Sequence, residues 1–337
     1  MRHLALLGIA FVAAGCEWNP WMLDYQSTMH QETRGVVFRG DGSGAQVGMM
    51  GTTCAVNPRT GSPSTDYDYP GTEDTVQDSK VTPSGETVVI VTSEQGVHIQ
   101  RDHAWWGATS DDYDLDDVLE ARALDDGAIV LTGDDNACSV EWVGDRTAAL
   151  ALDADLCHNI DGFTGDPTAG TGYIGTSEGI YVVTPEVATP LDPEPAELVH
   201  WDPVAEVLYA AERDGTLVRA LEADGTERWA TDVGTSVISL DDMGVREAVA
   251  VGLAYDDGSG GAIVLDAHTG EELASLTSPE SVNEVRAGGD GNNLALVQDH
   301  QVHFYSVGAS SSSSSWDTGD WGTGGGSWDW DMGSAGW

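Results

Sequence analysis

A short β-rich motif returns about every 41 residues along most of this chain. In each copy a polar turn containing a small residue opens an apolar run, as in Ser93-Glu94-Gln95-Gly96-Val97-His98-Ile99, Ser177–Val182 and Arg213-Asp214-Gly215-Thr216-Leu217-Val218. Gly261-Ala262-Ile263-Val264 and Gln301-Val302-His303-Phe304 fill the same slot, and Asp135–Val140 fills it less well. Slots opening at 96, 137, 179, 215, 261 and 301 have a mean spacing of 41 residues. Cys54–Gly61 aligns with Ile263–Gly270 and supplies a seventh copy. Runs such as Thr87–Val91, Ala128–Leu131 and Glu247–Val251 read as further strands, because Val, Ile and Thr suit a pleated, half-buried surface. A unit this small cannot cover its own apolar faces. A period of 40 to 45 residues with about four strands each is that of units stacked around an axis.

The expected fold is therefore all-β: a β-propeller over residues 34–307 with seven four-stranded blades, six being the alternative. No long segment beyond the first residues has a helical period. The last copy stops soon after its third strand, near Val307. Arg34–Arg39, or a stretch just before it, is expected to supply the missing strand and so close the ring. Residues 62–78, a polar insert, read as a loop between blades.

Composition supports a packed core, with 40% hydrophobic residues and 42 glycines for tight turns. It also excludes a class of partner. Asp and Glu total 57 against 13 Lys and Arg, a net charge of −44, and Lys80 is the one lysine. Such a surface repels phosphates, which excludes nucleic acid, and it attracts cations and basic partners. The plainer account of the charge is a solvated acidic coat.

Two turns carry a resemblance. Leu265-Asp266-Ala267-His268-Thr269-Gly270-Glu271-Glu272-Leu273 and Ala220–Trp229 resemble the repeat of quinoprotein-type (PQQ-like) propellers, whose pattern is roughly AxDxxTGxxxW, and the domain as a whole resembles a PQQ-like/WD40-like β-propeller. The resemblance implies that Asp and Thr-Gly shape a hairpin between outer strands and that Trp229 packs between blades. It specifies fold more than function. A PQQ-dependent dehydrogenase is excluded, because that family places an adjacent cysteine pair under its cofactor and this chain has none.

Residues 1–15 read as a signal peptide: Arg2 and His3, then an apolar run from Leu4 to Ala14, too short to span a bilayer. Ala13-Ala14-Gly15-Cys16 resembles the lipobox of bacterial lipoproteins, which implies lipidation at Cys16 and a membrane anchor. Residue 17 is Glu rather than the Asp that often retains such proteins at the inner membrane, which favours the outer membrane. Residues 16–33 then form a linker. The tail, 308–337, is rich in Ser, Gly, Asp and Trp and reads as flexible. An exported chain permits disulfides, and Cys138–Cys157, flanking a turn at Gly144-Asp145-Arg146, is the expected pair. Cys54 is left over.

No motif specific to an enzyme is present. The cluster Asp102, His103, Trp105 and Trp106, followed by Asp111–Asp114, has the aromatic and acidic groups that stack on and hydrogen-bond a sugar. An outer strand with a packed tryptophan is the plainer account. Oxygen-rich stretches at Asp111–Asp117, Asp153–Asp166 and Asp256–Gly260 are candidates for calcium, although none has an EF-hand pattern; no other cofactor is implied. The sequence thus points to a membrane-anchored, non-enzymatic protein-interaction scaffold at the cell envelope. A carbohydrate- or cell-wall-binding module and a propeller hydrolase or lyase are the alternatives.

Overall fold

The computed structural model describes seven strands between residues 33 and 101, the run 110–288, and residues 291, 293–298 and 302–306. The strands form seven antiparallel sheets, each a meander taken in chain order. Blade 1 holds β1 (Thr33–Phe38), β2 (Ala45–Met49), β3 (Thr52–Val56) and β4 (Pro63–Tyr67). Blade 2 holds β5 (Thr75–Val81), β6 (Thr87–Ser93), β7 (Gly96–Arg101) and β8 (Ser110–Tyr113). Blade 3 holds β9 (Val118–Leu124), β10 (Gly127–Asp134), β11 (Ala137–Gly144) and β12 (Ala148–Ala151). Blade 4 holds β13 (Ile160–Asp166), β14 (Thr171–Thr176), β15 (Gly179–Val183) and β16 (Ala188–Asp192). Blade 5 holds β17 (Leu198–Asp202), β18 (Val207–Ala211), β19 (Leu217–Leu221) and β20 (Glu227–Asp232). Blade 6 holds β21 (Ser236–Asp242), β22 (Ala248–Ala254), β23 (Gly260–Asp266) and β24 (Glu272–Ser278). Blade 7 holds β25 (Glu284–Ala287), β26 (Asn293–Val297) and β27 (Val302–Ser306).

The repeated sequence slot is the third strand of each blade. The first strands pack on one another in order around the axis, and β25 packs on β1, so the ring closes. Second strands are covered on both faces by neighbouring blades: every residue of β18 is buried, and six of the seven in β22. Outer strands have one face free, and β24 alternates Ala274, Leu276 and Ser278 inward with Ser275 and Thr277 outward. Between blades 3 and 4, Leu131, Val140 and Trp142 pack on Phe163 and Ile174. At the closing seam, Val36 and Phe38 pack on Ala295 and Phe304, with the two phenylalanine rings edge to face at 5.9 Å.

Two expectations need correction. Residues 33–38 do not complete the last blade: they pair with β2 as the first strand of blade 1, and blade 7 has three strands among the described residues. Residues 62–78 are not one loop, since Pro63–Tyr67 is β4 and Thr75–Val81 begins blade 2. Their polar sequence hid an outer strand with one partner, β3. A helix also interrupts the β pattern: α1 (Ala154–His158), capped by Asp153, whose side chain accepts the Leu156 N–H. At five residues it is too short to show a period. Among the described residues, no helix is long and apolar enough to cross a membrane.

Many aspartates build turns. In Asp134, Asp166, Asp202 and Asp266, Oδ1 accepts the backbone N–H groups two and three residues on. The Asp266 turn ends at Gly270, which has φ +69°, and a Cβ there would lie 2.7 Å from the Trp229 ring. That ring belongs to blade 5 and donates its indole N–H to Ala267 O of blade 6 at 2.8 Å. The Thr-Gly of the repeat thus makes room for a tryptophan of the preceding blade.

Candidate functional site around the axis

The polar side chains that meet at the centre come from the innermost strands, where each blade offers one short edge to the axis. His200 lies on β17 and Asp241 and Asp242 on β21. His200 Nε2 is 2.9 Å from Asp242 Oδ2 and 3.6 Å from Asp241 Oδ1. Each carboxylate has its other oxygen tied to the backbone. Asp242 Oδ1 accepts the Gly244 N–H at 2.8 Å, and Asp241 Oδ2 accepts the Ala287 N–H of blade 7 at 2.6 Å. The three side chains are 12%, 11% and 22% exposed, so the group is mostly withdrawn from water yet reachable.

Two arginines stand nearby, each engaged with a glutamate of its own strand. Arg286 on β25 holds Glu284 at 2.6 Å and approaches Asp241 Oδ1 only to 3.9 Å. Arg122 on β9 holds Glu120 and donates to Ala121 O. Just outward, Asp202 is fully buried, and its Oδ2 accepts the Tyr209 hydroxyl at 3.1 Å.

Burial pushes the carboxyls of Asp202 and Asp241 up to about 6, above the usual carboxylate range. For Asp202 the charge of Asp242 adds to the effect, and for Asp241 the His200 and Arg286 charges oppose it. Burial alone would lower the His200 imidazolium, but the Asp242 hydrogen bond and the two aspartate charges outweigh it and the net shift is upward. All three groups bind protons more tightly folded than unfolded. The aspartates' contribution is therefore complete below about 3.9 and is lost as pH rises through about 6. His200 contributes fully below about 6.5 and loses its share as pH rises past its folded value. In metal-free buffer these three groups should make the melting temperature fall as pH rises from 4 to 8, the aspartates acting below about 6 and His200 above it. Asp202→Asn keeps the acceptor for the Val204 and Ala205 N–H groups but cannot ionise, so it should flatten the slope between pH 4 and 6. An unchanged slope in the variant would remove Asp202 from the account.

The site was not anticipated from sequence, although a signal existed. His200 precedes Asp241 by 41 residues, one repeat, so the two occupy like positions on consecutive first strands. Cys16 and the Asp102, His103, Trp105 and Trp106 cluster lie outside the described residues. Cys138 and Cys157 are joined, with Cα atoms 5.6 Å apart. The expected hairpin forms between β11 and β12; Cys138 is on β11, and Cys157 lies past β12 in α1, which the bond holds against the blade. The oxygen-rich stretches use carboxylates elsewhere, Asp153 as a helix cap, Asp166 and Asp257 in turns. Among the described residues, His200, Asp241 and Asp242 are the group whose donor atoms could meet on one metal ion.

No protein-family profile matches the chain, and no curated protein matches it. Solved structures do. A chain from the crystal structure of the mitotic checkpoint complex has a TM-score of 0.58 at 13% identity, covering 81% of this chain and 90% of that one. The β-propeller domain of Cps50 (Swd1) from Myceliophteria thermophila gives 0.60 at 11% identity, covering 82% and 96%. Hsv2 from Kluyvelomyces marxianus gives 0.56 at 13%, covering 82% and 93%. The chain is a β-propeller. Its similarity to these structures covers about four fifths of the chain and, at such identities, concerns the fold alone.

Proposed function

We propose that this propeller is a non-enzymatic interaction scaffold for a basic protein partner, held at the cell envelope by a lipid on Cys16. The observation that carries the reading is the placement of charge on the ring. In a meander, the links between second and third strands and the links between blades emerge at the same end. At that end Asp114, Asp116, Asp117, Asp135, Asp153, Asp155, Glu178, Glu194, Glu212, Asp214, Asp256, Asp257 and Glu280 are exposed. Arg213 is the single exposed arginine or lysine among the described residues there. These carboxylates stand on a rigid frame, so they form a fixed field rather than a fluctuating one, and such a field steers and selects a cationic surface. One neighbour of this fold was solved in a multi-protein complex, which accords with a scaffold.

Co-purification after crosslinking intact membranes tests the reading. A basic protein is expected, with retention weakening as salt rises. Asp116→Lys, Asp135→Lys and Asp214→Lys together should abolish retention, whereas Glu186→Lys, Asp224→Lys and Glu271→Lys, at the opposite end, should preserve it. Equal loss from both sets, or retention indifferent to salt, would overturn the assignment of this end. Cys16→Ser should move the protein from the membrane fraction to the soluble one, and retention in the membrane would exclude the anchor.

A further inference from the structure

The geometry around the axis points to a binding site for one divalent transition-metal ion of the zinc class, held by His200 Nε2, Asp241 Oδ1 and Asp242 Oδ2. These atoms lie within 4.8 Å of one another. The two distances from the imidazole nitrogen, 2.9 and 3.6 Å, bracket the edge of about 3.4 Å in a tetrahedron with bonds of about 2.1 Å. Three protein donors leave the fourth position for water or for a partner's side chain.

The donors are also pre-aimed. The Gly244 N–H fixes one oxygen of Asp242, and the Ala287 N–H of the next blade fixes one oxygen of Asp241. The remaining oxygen of each turns toward His200. Backbone-anchored carboxylates of this kind orient a ligand set without blocking it. Because the three donors belong to strands of two blades, tied to a third through Ala287, the set is held by the ring rather than by a loop.

Charge supplies an independent reason. Arg122 and Arg286 are each closely paired with a glutamate, Glu120 and Glu284. Two largely buried carboxylates then face an imidazole, with Arg286 at 3.9 Å. A dication balances that pair, and a chain with a net charge of −44 concentrates cations around itself. The imidazole sets the class of ion: nitrogen with two carboxylates favours zinc and its neighbours, while calcium requires six to eight oxygens.

The test uses the purified full chain, stripped with EDTA, dialysed free of chelator and titrated with ZnCl2 by calorimetry. One tight site per chain is expected, distinct from any weak binding to surface carboxylates, with a rise in melting temperature that CaCl2 does not reproduce. CoCl2 should give the visible absorption of a nitrogen- and oxygen-liganded tetrahedral ion. His200→Gln should weaken zinc at least about tenfold and abolish the cobalt band. Asp242→Asn, which keeps its acceptor for Gly244, provides a second variant if His200→Gln does not fold. Zinc binding no tighter than calcium, or tight binding that survives a folded variant of either residue, would overturn the site. The partner-binding end and its salt dependence are read in a separate assay, so failure here leaves that reading standing.

Discussion

Trp142→Ala is expected to destabilise the protein by about 4 kcal/mol, among the largest effects of any single substitution in the ring. The indole is 1% exposed and sits between blades 3 and 4, packed with Leu131, Val140, Phe163 and Ile174. Its N–H donates to Gly170 O, in the first turn of blade 4, at 2.8 Å. Alanine would remove the ring, leave a cavity that two rigid sheets cannot collapse into, and strip the carbonyl of this donor. Trp142→Phe separates the contributions, since it keeps most of the packing and loses the hydrogen bond. It should cost less than half as much as alanine. Urea denaturation of both variants checks this, and a loss below about 1.5 kcal/mol for alanine would show that the seam repacks.

Removing the Cys138–Cys157 bond is the second large effect. The cysteines are 19 residues apart, and closing a loop of that size in the unfolded chain stabilises by about 3 kcal/mol. The bond also secures α1. One helical turn does not persist in water alone, and here it lies against β11 with Leu156 and Cys157 buried. The Cys138→Ala, Cys157→Ala double variant should therefore unfold at lower urea and lose protection of the amides of residues 154–158 before the rest of blade 3. Because both sulfurs belong to residues less than 8% exposed, a reductant should act slowly on the native protein and quickly once urea has opened it. Rapid reduction without loss of stability would refute the structural role given to the bond.

A repeat in sequence reveals some strands and conceals others. The third strands were legible because each combines a turn with an alternating run, and seven of them recur. Asp266, Gly270 and Trp229 were legible because the turn and the ring that fills it lie in a spaced pattern. First and fourth strands were harder. β4 is short and polar, because an outer strand has only one partner and a wet face. Residues 33–38 looked available to the last blade because a short strand ending in Val36-Val37-Phe38 carries no mark of which neighbour it will pair with. The axial site was overlooked for a related reason. His200 is separated by a full repeat from Asp241 and Asp242, and only the curvature of the ring makes them adjacent. The Cys138–Cys157 pairing was anticipated through a hairpin, whereas a helix supplies one sulfur.

The seam between β25 and β1 has a mechanical consequence. An open stack of repeats can peel from whichever unit stands last, and its outermost members need special sequences to survive there. A circle has no such unit. Every blade is wedged on two sides, so freeing any one of them breaks a pair of contacts at once, and the cheapest large excursion involves many blades together.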